Sequence, residues 1–196
     1  MRDAPLRIDL PLDRERALAL RAGQAVRLYG EMLTARDAAH ARLVAALEAG
    51  EPLPVELAEA TIYYCGPTPG RPSRAIGAAG PTTSSRMDQY APALYRAGVR
   101  ATLGKGERAP AVREACRECG ALYLVTVGGA GALLGSRVTA AAVVAYPALG
   151  PEALRRLVVA DFPAWRPRLT KDPWKSIAST HQTITRATVA ALSGKS

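Results

Sequence analysis

The chain has 196 residues, 48% of them hydrophobic and 22% charged, which excludes an intrinsically disordered protein and predicts a folded, soluble one. Its longest apolar runs, such as 138–149, are too short for a membrane span, and the charged N-terminus lacks the apolar stretch of a signal peptide, so we expect a cytoplasmic protein without a membrane partner. The net charge of +9 favours an anionic partner or substrate, while an aromatic content of only 5% argues against nucleic acid.

Strand-like and helix-like segments alternate along the chain. In chain order the pattern predicts a strand over 24–33, a helix over 35–49, strands at 60–65 and 74–79, a helix over 85–96, a strand over 99–103, a helix over 110–119, a strand over 121–127, a helix over 130–135, and strands at 141–146 and 156–160. We therefore expect one α/β domain over residues 1–164, with a mixed sheet flanked by helices. Residues 165–196, with six basic side chains and one acidic one, are typical of a loosely attached basic extension.

The start of the first long predicted helix carries the sequence TARDAAH at 34–40. Thr34 is a suitable N-cap, and Asp37 can return a capping contact to the backbone, the structural interpretation that we favour for Asp37. Arg36 and His40 lie four residues apart on the inward-facing side of this helix, where a guanidinium suits a carboxylate ligand. Because a histidine in such a place is more often a satisfied, partly buried side chain than a catalyst, His40 is a secondary candidate.

Residues 80–88, GPTTSSRMD, connect a predicted strand to a predicted helix. Hydroxyls and free backbone amides at a helix N-terminus bind anions, and Arg86 adds a guanidinium that can hold a carboxylate through two hydrogen bonds. One hydroxyl can simply cap the helix. Four consecutive hydroxyl side chains exceed what one cap requires, so we expect at least one of them to contact a ligand.

Two glycine-rich turns follow later strands. In Gly104-Lys105-Gly106 the glycines let the backbone approach a ligand and Lys105 supplies a positive charge, although many such turns are exposed loops. Residues 128–131, GGAG, precede a helix, but Leu134 stands where the last glycine of a dinucleotide-binding motif would fall. Tight packing between strand and helix explains this second turn better than a nucleotide does.

The three cysteines are too few for a disulfide framework. Cys116 and Cys119 form a C-x-x-C pair, and three thiols can in principle hold an iron–sulfur cluster. The pair lies within a predicted helix, however, and Cys65 is distant in sequence, so we expect buried or incidental thiols and no metal ligand in this chain.

Six segments together resemble one known family. They are TARDAAH at 34–40, YYCGPTP at 63–69, IGAAGPTTSSRMDQY at 76–90, TLGKGER at 102–108, YLVTVGGAGALL at 123–134 and VVADFPA at 158–164. These segments are similar to the β subunit, or C-terminal domain, of class I iron–sulfur fumarate hydratases and of the related tartrate dehydratases, over about residues 5–164. The cysteine pair and the tail after Ala164 depart from the family pattern.

The resemblance implies a swivelling β/β/α domain that pairs with an α subunit, in a hetero-oligomer with two copies of each. The α subunit of this family holds a four-iron, four-sulfur cluster through its own cysteines, so this chain would contribute half of an active site and no cluster ligand. The implied reaction is the reversible hydration of fumarate, a small dicarboxylate, to malate.

Carried over residue by residue, the resemblance makes Thr82 the catalytic base that removes or returns the proton on the substrate carbon. Arg36, Arg86 and Lys105 would hold the two carboxylates of the substrate. The supporting positions would be Asp37, His40 and Thr83.

Two alternatives remain open. The sequences GPTTSSRMD and GKGER resemble fumarate hydratases more than tartrate dehydratases, and we therefore expect fumarate as substrate. A chain of the same class could instead dehydrate tartrate or another hydroxy diacid. A chain of a different class would be a basic module that binds anionic ligands or nucleic acid without chemistry of its own.

Overall fold

The computed structural model describes residues 4–167. In chain order its elements are β1 (Leu6–Asp9), α1 (Arg14–Ala19), β2 (Ala25–Thr34), α2 (Asp37–Ala49), β3 (Thr61–Tyr63), a first 3-10 helix (Ser84–Met87), α3 (Ala91–Arg96), β4 (Ala101–Gly104), α4 (Pro110–Cys119), β5 (Leu122–Val125), α5 (Gly131–Ser136), β6 (Val138–Ala145), a second 3-10 helix (Pro147–Glu152) and β7 (Leu154–Trp165). None of the helices between residues 4 and 167 combines the length with the apolar character that a bilayer span requires.

The strands form one mixed sheet, part of which closes into a five-stranded ring. Strands β2, β3, β4 and β5 pair in parallel, in that order. The long strand β7 runs antiparallel to β2 along its whole length, from Ala25↔Trp165 to Thr34↔Arg155, and it also meets β5 at Val125↔Trp165. Strand β1 pairs with β2 and strand β6 with β7, both outside the ring. This closed, barrel-like sheet with its helices confirms the predicted mixed α/β class.

Two hydrophobic clusters lie on the two faces of the ring strands. The first contains side chains from every ring strand, so it fills the interior of the ring. The second contains side chains of α2, α3 and α4 packed against the outer face. Adjacent residues of the β3 segment show the alternation, since Tyr63 belongs to the first cluster while Ile62 and Tyr64 belong to the second.

Most predicted elements are confirmed within two or three residues, but the strand predicted at 74–79 is wrong. That segment forms no strand and instead folds back on Thr68. The Gly77 amide donates to the Thr68 carbonyl at 2.9 Å, and the Ala78 amide donates to the Thr68 hydroxyl at 2.7 Å. Because these backbone groups are paired within the loop, they do not join the sheet.

The continuous helix predicted over 85–96 is also wrong. The chain forms the short 3-10 helix Ser84–Met87 and then the separate helix α3, Ala91–Arg96. Pro92 lies in the first turn of α3, where a missing amide hydrogen costs nothing, whereas in the interior of a longer helix it would remove a hydrogen bond. The proline therefore divides the segment.

Strand β7 runs past Ala164, the last residue of the predicted domain, so Trp165 and Arg166 of the predicted extension belong to the fold. Trp165 is the last residue of β7, and the Gly23 amide donates to the Arg166 carbonyl at 2.7 Å. The rest of the predicted extension, residues 168–196, lies outside the described residues.

Candidate active site

The motif turns meet where the parallel strands β2, β3 and β4 end. The loop that carries Thr82 runs between the continuations of β3 and β4: the Thr82 amide donates to the Tyr64 carbonyl at 2.8 Å, and the Lys105 amide donates to the Thr82 carbonyl at 3.3 Å. The Ser84 amide then donates to the Lys105 carbonyl at 2.9 Å. Because the carboxyl ends of parallel strands share one edge of a sheet, three segments that are distant in sequence are brought together here.

Thr82 is held by its backbone and not by its side chain. Its two backbone hydrogen bonds fix the residue between neighbouring segments, and it is partly buried. Thr83, and not Thr82, occupies the N-cap position of the 3-10 helix, and it makes no side-chain capping bond. Ser84 is fully buried and accepts a hydrogen bond from the Tyr123 hydroxyl at 2.9 Å. Of the four hydroxyl residues, Ser84 therefore has a structural partner, and none acts as a side-chain cap.

The capping interpretation of the TARDAAH segment is wrong. Thr34 is the last residue of β2, and the N-cap of α2 is Arg36, which makes no side-chain capping bond. The Ala35 amide still pairs with the Tyr63 carbonyl at 3.2 Å, so the extended chain continues past Thr34 and the helix starts too late for its hydroxyl to cap it. The start of α2 is instead capped by Glu152, whose carboxylate accepts from the Ala38 amide at 3.1 Å.

Asp37 forms an ion pair with Arg86, across 49 positions of sequence. The Arg86 Nε donates to Asp37 Oδ1 at 3.0 Å, and Nη2 lies 2.8 Å from Oδ2. The Asp37 side chain is 30% exposed and that of Arg86 48%, so solvent weakens the pair but leaves its two-point geometry. Asp37 thus joins the start of α2 to the loop that carries Thr82.

His40 is completely buried beside Arg36. Both its backbone amide, at 2.8 Å, and its ring Nδ1, at 2.9 Å, contact the Arg36 carbonyl, so the neutral ring carries its proton on Nδ1. The ring meets Tyr64 edge-on, with centroids 5.2 Å apart, and its Nε2 has no partner among the described residues. Burial lowers the pKa of His40 to about 4, so the ring is neutral at pH 7.

Because of this shift, His40 is expected to make the protein less stable at mildly acidic pH. The unfolded chain takes up a proton near the usual histidine pKa of about 6.5, while the folded protein takes it up only near the folded pKa of about 4. Stability is therefore lost as pH falls from about 6.5 to about 4, by about 2 kcal/mol at pH 5. Urea unfolding at pH 7.5 and pH 5 measures the loss, and His40→Asn, which cannot titrate, provides the control. Equal pH dependence in both proteins would contradict the assignment.

Lys105 lies on the exposed turn after β4, and two glycines shape its surroundings. A Cβ at Gly104 would lie 2.1 Å from the Ser84 hydroxyl, so this glycine allows the turn to pack closely against the Thr82 loop. A Cβ at Gly128 would lie 3.5 Å from Lys105 Cδ, so the GGAG turn borders the lysine. That turn packs closely against the loop at 77–80 and not, as predicted, against a strand: the Ala79 amide donates to the Gly131 carbonyl at 2.9 Å, and a Cβ at Gly131 would lie 3.2 Å from the Gly80 nitrogen.

A buried ion pair beneath the site was not predicted. Asp88 and Arg108 meet at 2.6 Å, and the Arg108 side chain has no exposed surface. Arg108 also donates to the Tyr64 hydroxyl at 3.3 Å and the Thr102 hydroxyl at 3.2 Å. Asp88 accepts from the Ala109 amide at 2.7 Å, so the pair ties the Thr82 loop to the segment after Lys105. Both residues lie inside recognised motifs, but no local pattern indicates that they pair.

The charges around this edge of the sheet leave an excess of positive charge. Three cations, Arg36, Arg86 and Lys105, face two carboxylates, those of Asp37 and Glu152. The Asp88–Arg108 pair beneath them is neutral as a unit. The arrangement can therefore bind a small carboxylate.

The cysteines do not come together. Cys65 packs in the ring interior, whereas Cys116 and Cys119 lie against the outer cluster. Burial raises the pKa of Cys65 to about 12 and also raises that of Cys116, which disfavours the thiolate form that metals require. Within residues 4–167 no three histidine, cysteine or acidic side chains are arranged around a common metal position. The described residues therefore do not fit an iron–sulfur cluster.

Comparison with known proteins places these observations in a family. The model of the Fumarase C-terminus family matches residues 3–166. Fumarate hydratase 2 of Leishmania major is 37% identical over 166 residues, covering 82% of this chain and 29% of that protein. The aerobic class I fumarate hydratase of Escherichia coli K12 is 39% identical over 140 residues, covering 70% of this chain and 26% of that protein.

A shorter relative is a separate subunit. The putative L(+)-tartrate dehydratase subunit beta of Methanocaldococcus jannaschii is 34% identical over 122 residues, covering 61% of this chain and 63% of that protein. The matched part of this chain thus spans less than a third of the two fumarate hydratases but most of this subunit. Since the family model matches nearly the whole described range, the chain belongs to the Fumarase C-terminus family.

Proposed function

We propose that this chain is the β subunit of a hydro-lyase that reversibly hydrates fumarate to malate. The observation that carries the proposal is that the Thr82 loop is hydrogen-bonded to the Lys105 turn and is joined by the Arg86–Asp37 ion pair to the start of α2, whose N-cap is Arg36. Cations grouped in this way can bind a dicarboxylate. The similarity to fumarate hydratases along nearly all of the described chain supports it. In this proposal the domain is of the swivelling β/β/α type and moves relative to its partner.

Some of the site residues bind the substrate, and one transfers the proton. Arg36, Arg86 and Lys105 bind the two carboxylates, and Asp37 orients Arg86 through their two-point contact. Thr82 removes or returns the proton on the substrate carbon. A free threonine alkoxide is far too basic to form at neutral pH, so the neighbouring cations must lower the cost of the negative charge.

The partner supplies the rest of the active site. Fumarate hydratases that match this chain are more than three times as long as the matched region, so most of each of those proteins has no counterpart in it. The match to a protein named as a subunit beta supports an α subunit that carries the remaining part. We assign the four-iron, four-sulfur cluster to that subunit, because the described cysteines of this chain do not fit it. The proposed assembly is a hetero-oligomer with two copies of each subunit.

The proposal is tested by separating the chain from its partner. Tagged chain purified alone, under anaerobic conditions, is expected to bind no iron and to leave fumarate unchanged. The chain purified from its native source with its partner attached is expected to contain iron and sulfide and to convert fumarate to malate. Stoichiometric iron in the isolated chain would contradict the assignment of the cluster, and an iron-containing complex inert toward every diacid would contradict the hydro-lyase.

A second candidate substrate is tartrate. It is favoured by the match to a tartrate dehydratase subunit beta, a relative that is a separate subunit of similar extent. Parallel assays of the same complex with fumarate and L(+)-tartrate distinguish the two, since the preferred substrate should have the higher kcat/KM. A colourless chain that binds diacids without converting them in any preparation would support a binding module instead.

A further inference from the structure

Glu152 is the one acidic residue of the site that no sequence motif indicated. It lies at the end of the second 3-10 helix, 116 positions after Arg36. Both of its carboxylate oxygens are engaged: Oε1 lies 3.4 Å from Arg36 Nη2, and Oε2 accepts from the Ala38 amide at 3.1 Å. The Glu152 side chain is 26% exposed and that of Arg36 is 24% exposed, so the contact is largely shielded from solvent.

The remaining parts of Arg36 are also held in place. Its carbonyl accepts from both the amide and the ring of His40. Its guanidinium lies against Gly66, where a Cβ would come within 3.1 Å of Nη1 and 3.3 Å of Cδ. The buried Arg36 Nε has no partner among residues 4–167. The side chain is therefore fixed by its surroundings, and part of its hydrogen-bonding capacity is unused.

The position of Glu152 is fixed as well. Its Oε2 is bonded at the start of α2, where the helix dipole favours a carboxylate. A carboxylate held at this point favours the orientation in which the neighbouring guanidinium contacts it, because the carboxylate does not move with the guanidinium when the arginine changes rotamer. An arginine side chain has many rotamers. A partner that holds it in one of them in the free protein reduces the conformational entropy that is lost when a ligand binds.

We propose that Glu152 is a positioning residue, which holds the Arg36 guanidinium in the orientation that binds a substrate carboxylate. Glu152 itself does not contact the substrate. This inference rests on the proposed function, since it assigns Arg36 to carboxylate binding in the hydro-lyase.

Kinetics of the assembled enzyme test the proposal. Glu152→Gln keeps an oxygen for the Ala38 amide but removes the charge that holds Arg36. We expect KM for fumarate to rise roughly tenfold with kcat within about a factor of two, because an oriented binding group is lost and not a reacting one. Glu152→Asp, which keeps the charge on a shorter side chain, is expected to restore part of the affinity. Unchanged KM in Glu152→Gln would overturn the proposal.

A double variant separates positioning from general stabilisation. In an Arg36→Lys background the lysine cannot present the same fork of donors, so adding Glu152→Gln is expected to raise KM little further. Fully additive effects would mean that Glu152 acts independently of Arg36, which contradicts the proposal. Glu118→Gln is the matched control. Glu118 forms an exposed ion pair with Arg96, at a distance of 3.2 Å, in a part of the fold away from the site. The KM of this variant should therefore equal that of the native enzyme.

A measurement that does not depend on enzyme activity tests the positioning role separately from the proposed function. The ¹⁵N heteronuclear NOE of the Arg36 Nε–H in the full-length chain reports how strongly the guanidinium is ordered. We expect an ordered signal in the native chain and in Glu118→Gln, and a mobile one in Glu152→Gln. Equal order in all three proteins would overturn the positioning role even if the enzyme is active. An inert native complex with the expected NOE pattern would instead count against the hydro-lyase.

Discussion

Replacing Thr82 by valine is expected to lower kcat of the assembled enzyme by roughly two to four orders of magnitude, the usual loss when a general base is removed. Valine keeps the shape of threonine and lacks only the oxygen. Thr82 is held through its backbone by Tyr64 and Lys105, contacts that valine retains. The substitution should therefore leave the loop in place, and affinity for the diacid should change much less than turnover.

Three measurements on one preparation make this prediction decisive. Iron content excludes cluster loss, the melting temperature excludes unfolding, and KM reports substrate binding. Ser85→Ala is the matched control, because Ser85 is an exposed hydroxyl three positions away whose removal should leave kcat unchanged. A Thr82→Val enzyme with full iron and near-normal kcat would rule out proton transfer by Thr82.

Replacing Asp88 by alanine is expected to destabilise the fold by about 3–5 kcal/mol, the usual cost of leaving one member of a buried ion pair without its partner. The Arg108 side chain has no exposed surface and Asp88 is 14% exposed, so water cannot replace the lost carboxylate. The Ala109 amide would lose its acceptor as well. Chemical denaturation of the chain measures the change in the free energy of unfolding.

Two further variants identify the cause of that loss. Asp88→Asn keeps an acceptor for the Ala109 amide but no charge, so its cost should be smaller than that of alanine. Asp88→Ala combined with Arg108→Met removes the stranded charge and is expected to recover part of the lost stability. A cost below about 1 kcal/mol for Asp88→Ala would contradict a strong buried pair.

Elements with strong local signals could be predicted from the sequence. The helix predicted over 110–119 coincides with α4, because Pro110 suits a first turn and Gly120 adopts the left-handed backbone, with φ of 61°, that ends a helix. The strand predicted over 24–33 lies within one residue of β2. The turn residues and the hydrophobic periodicity involve only neighbouring residues, so they can be recognised in the sequence without knowledge of the fold.

Two short N-terminal elements, β1 and α1, were not predicted. Leu6–Asp9 alternates apolar and charged residues over only four positions, which is too short a run to predict a strand by itself, and it is a strand because its backbone pairs with that of β2. Arg14–Ala19 is shorter than an isolated helix can be in water, and Ala17 at its centre is buried by the rest of the fold. Both elements obtain their stability from the remainder of the chain and carry a weak local pattern.

The candidate residues could be named from the sequence, but their partners could not. The sequence by itself determined the α/β class, the motif turns, the excess of positive charge and the family resemblance, since each depends on residue type and spacing. Only the tertiary structure decided that Asp37 pairs with Arg86, that Glu152 holds Arg36, and that Asp88 and Arg108 meet beneath the site. These ion pairs join residues from 20 to 116 positions apart, and they form because closing the sheet into a ring brings separate strand ends to one edge.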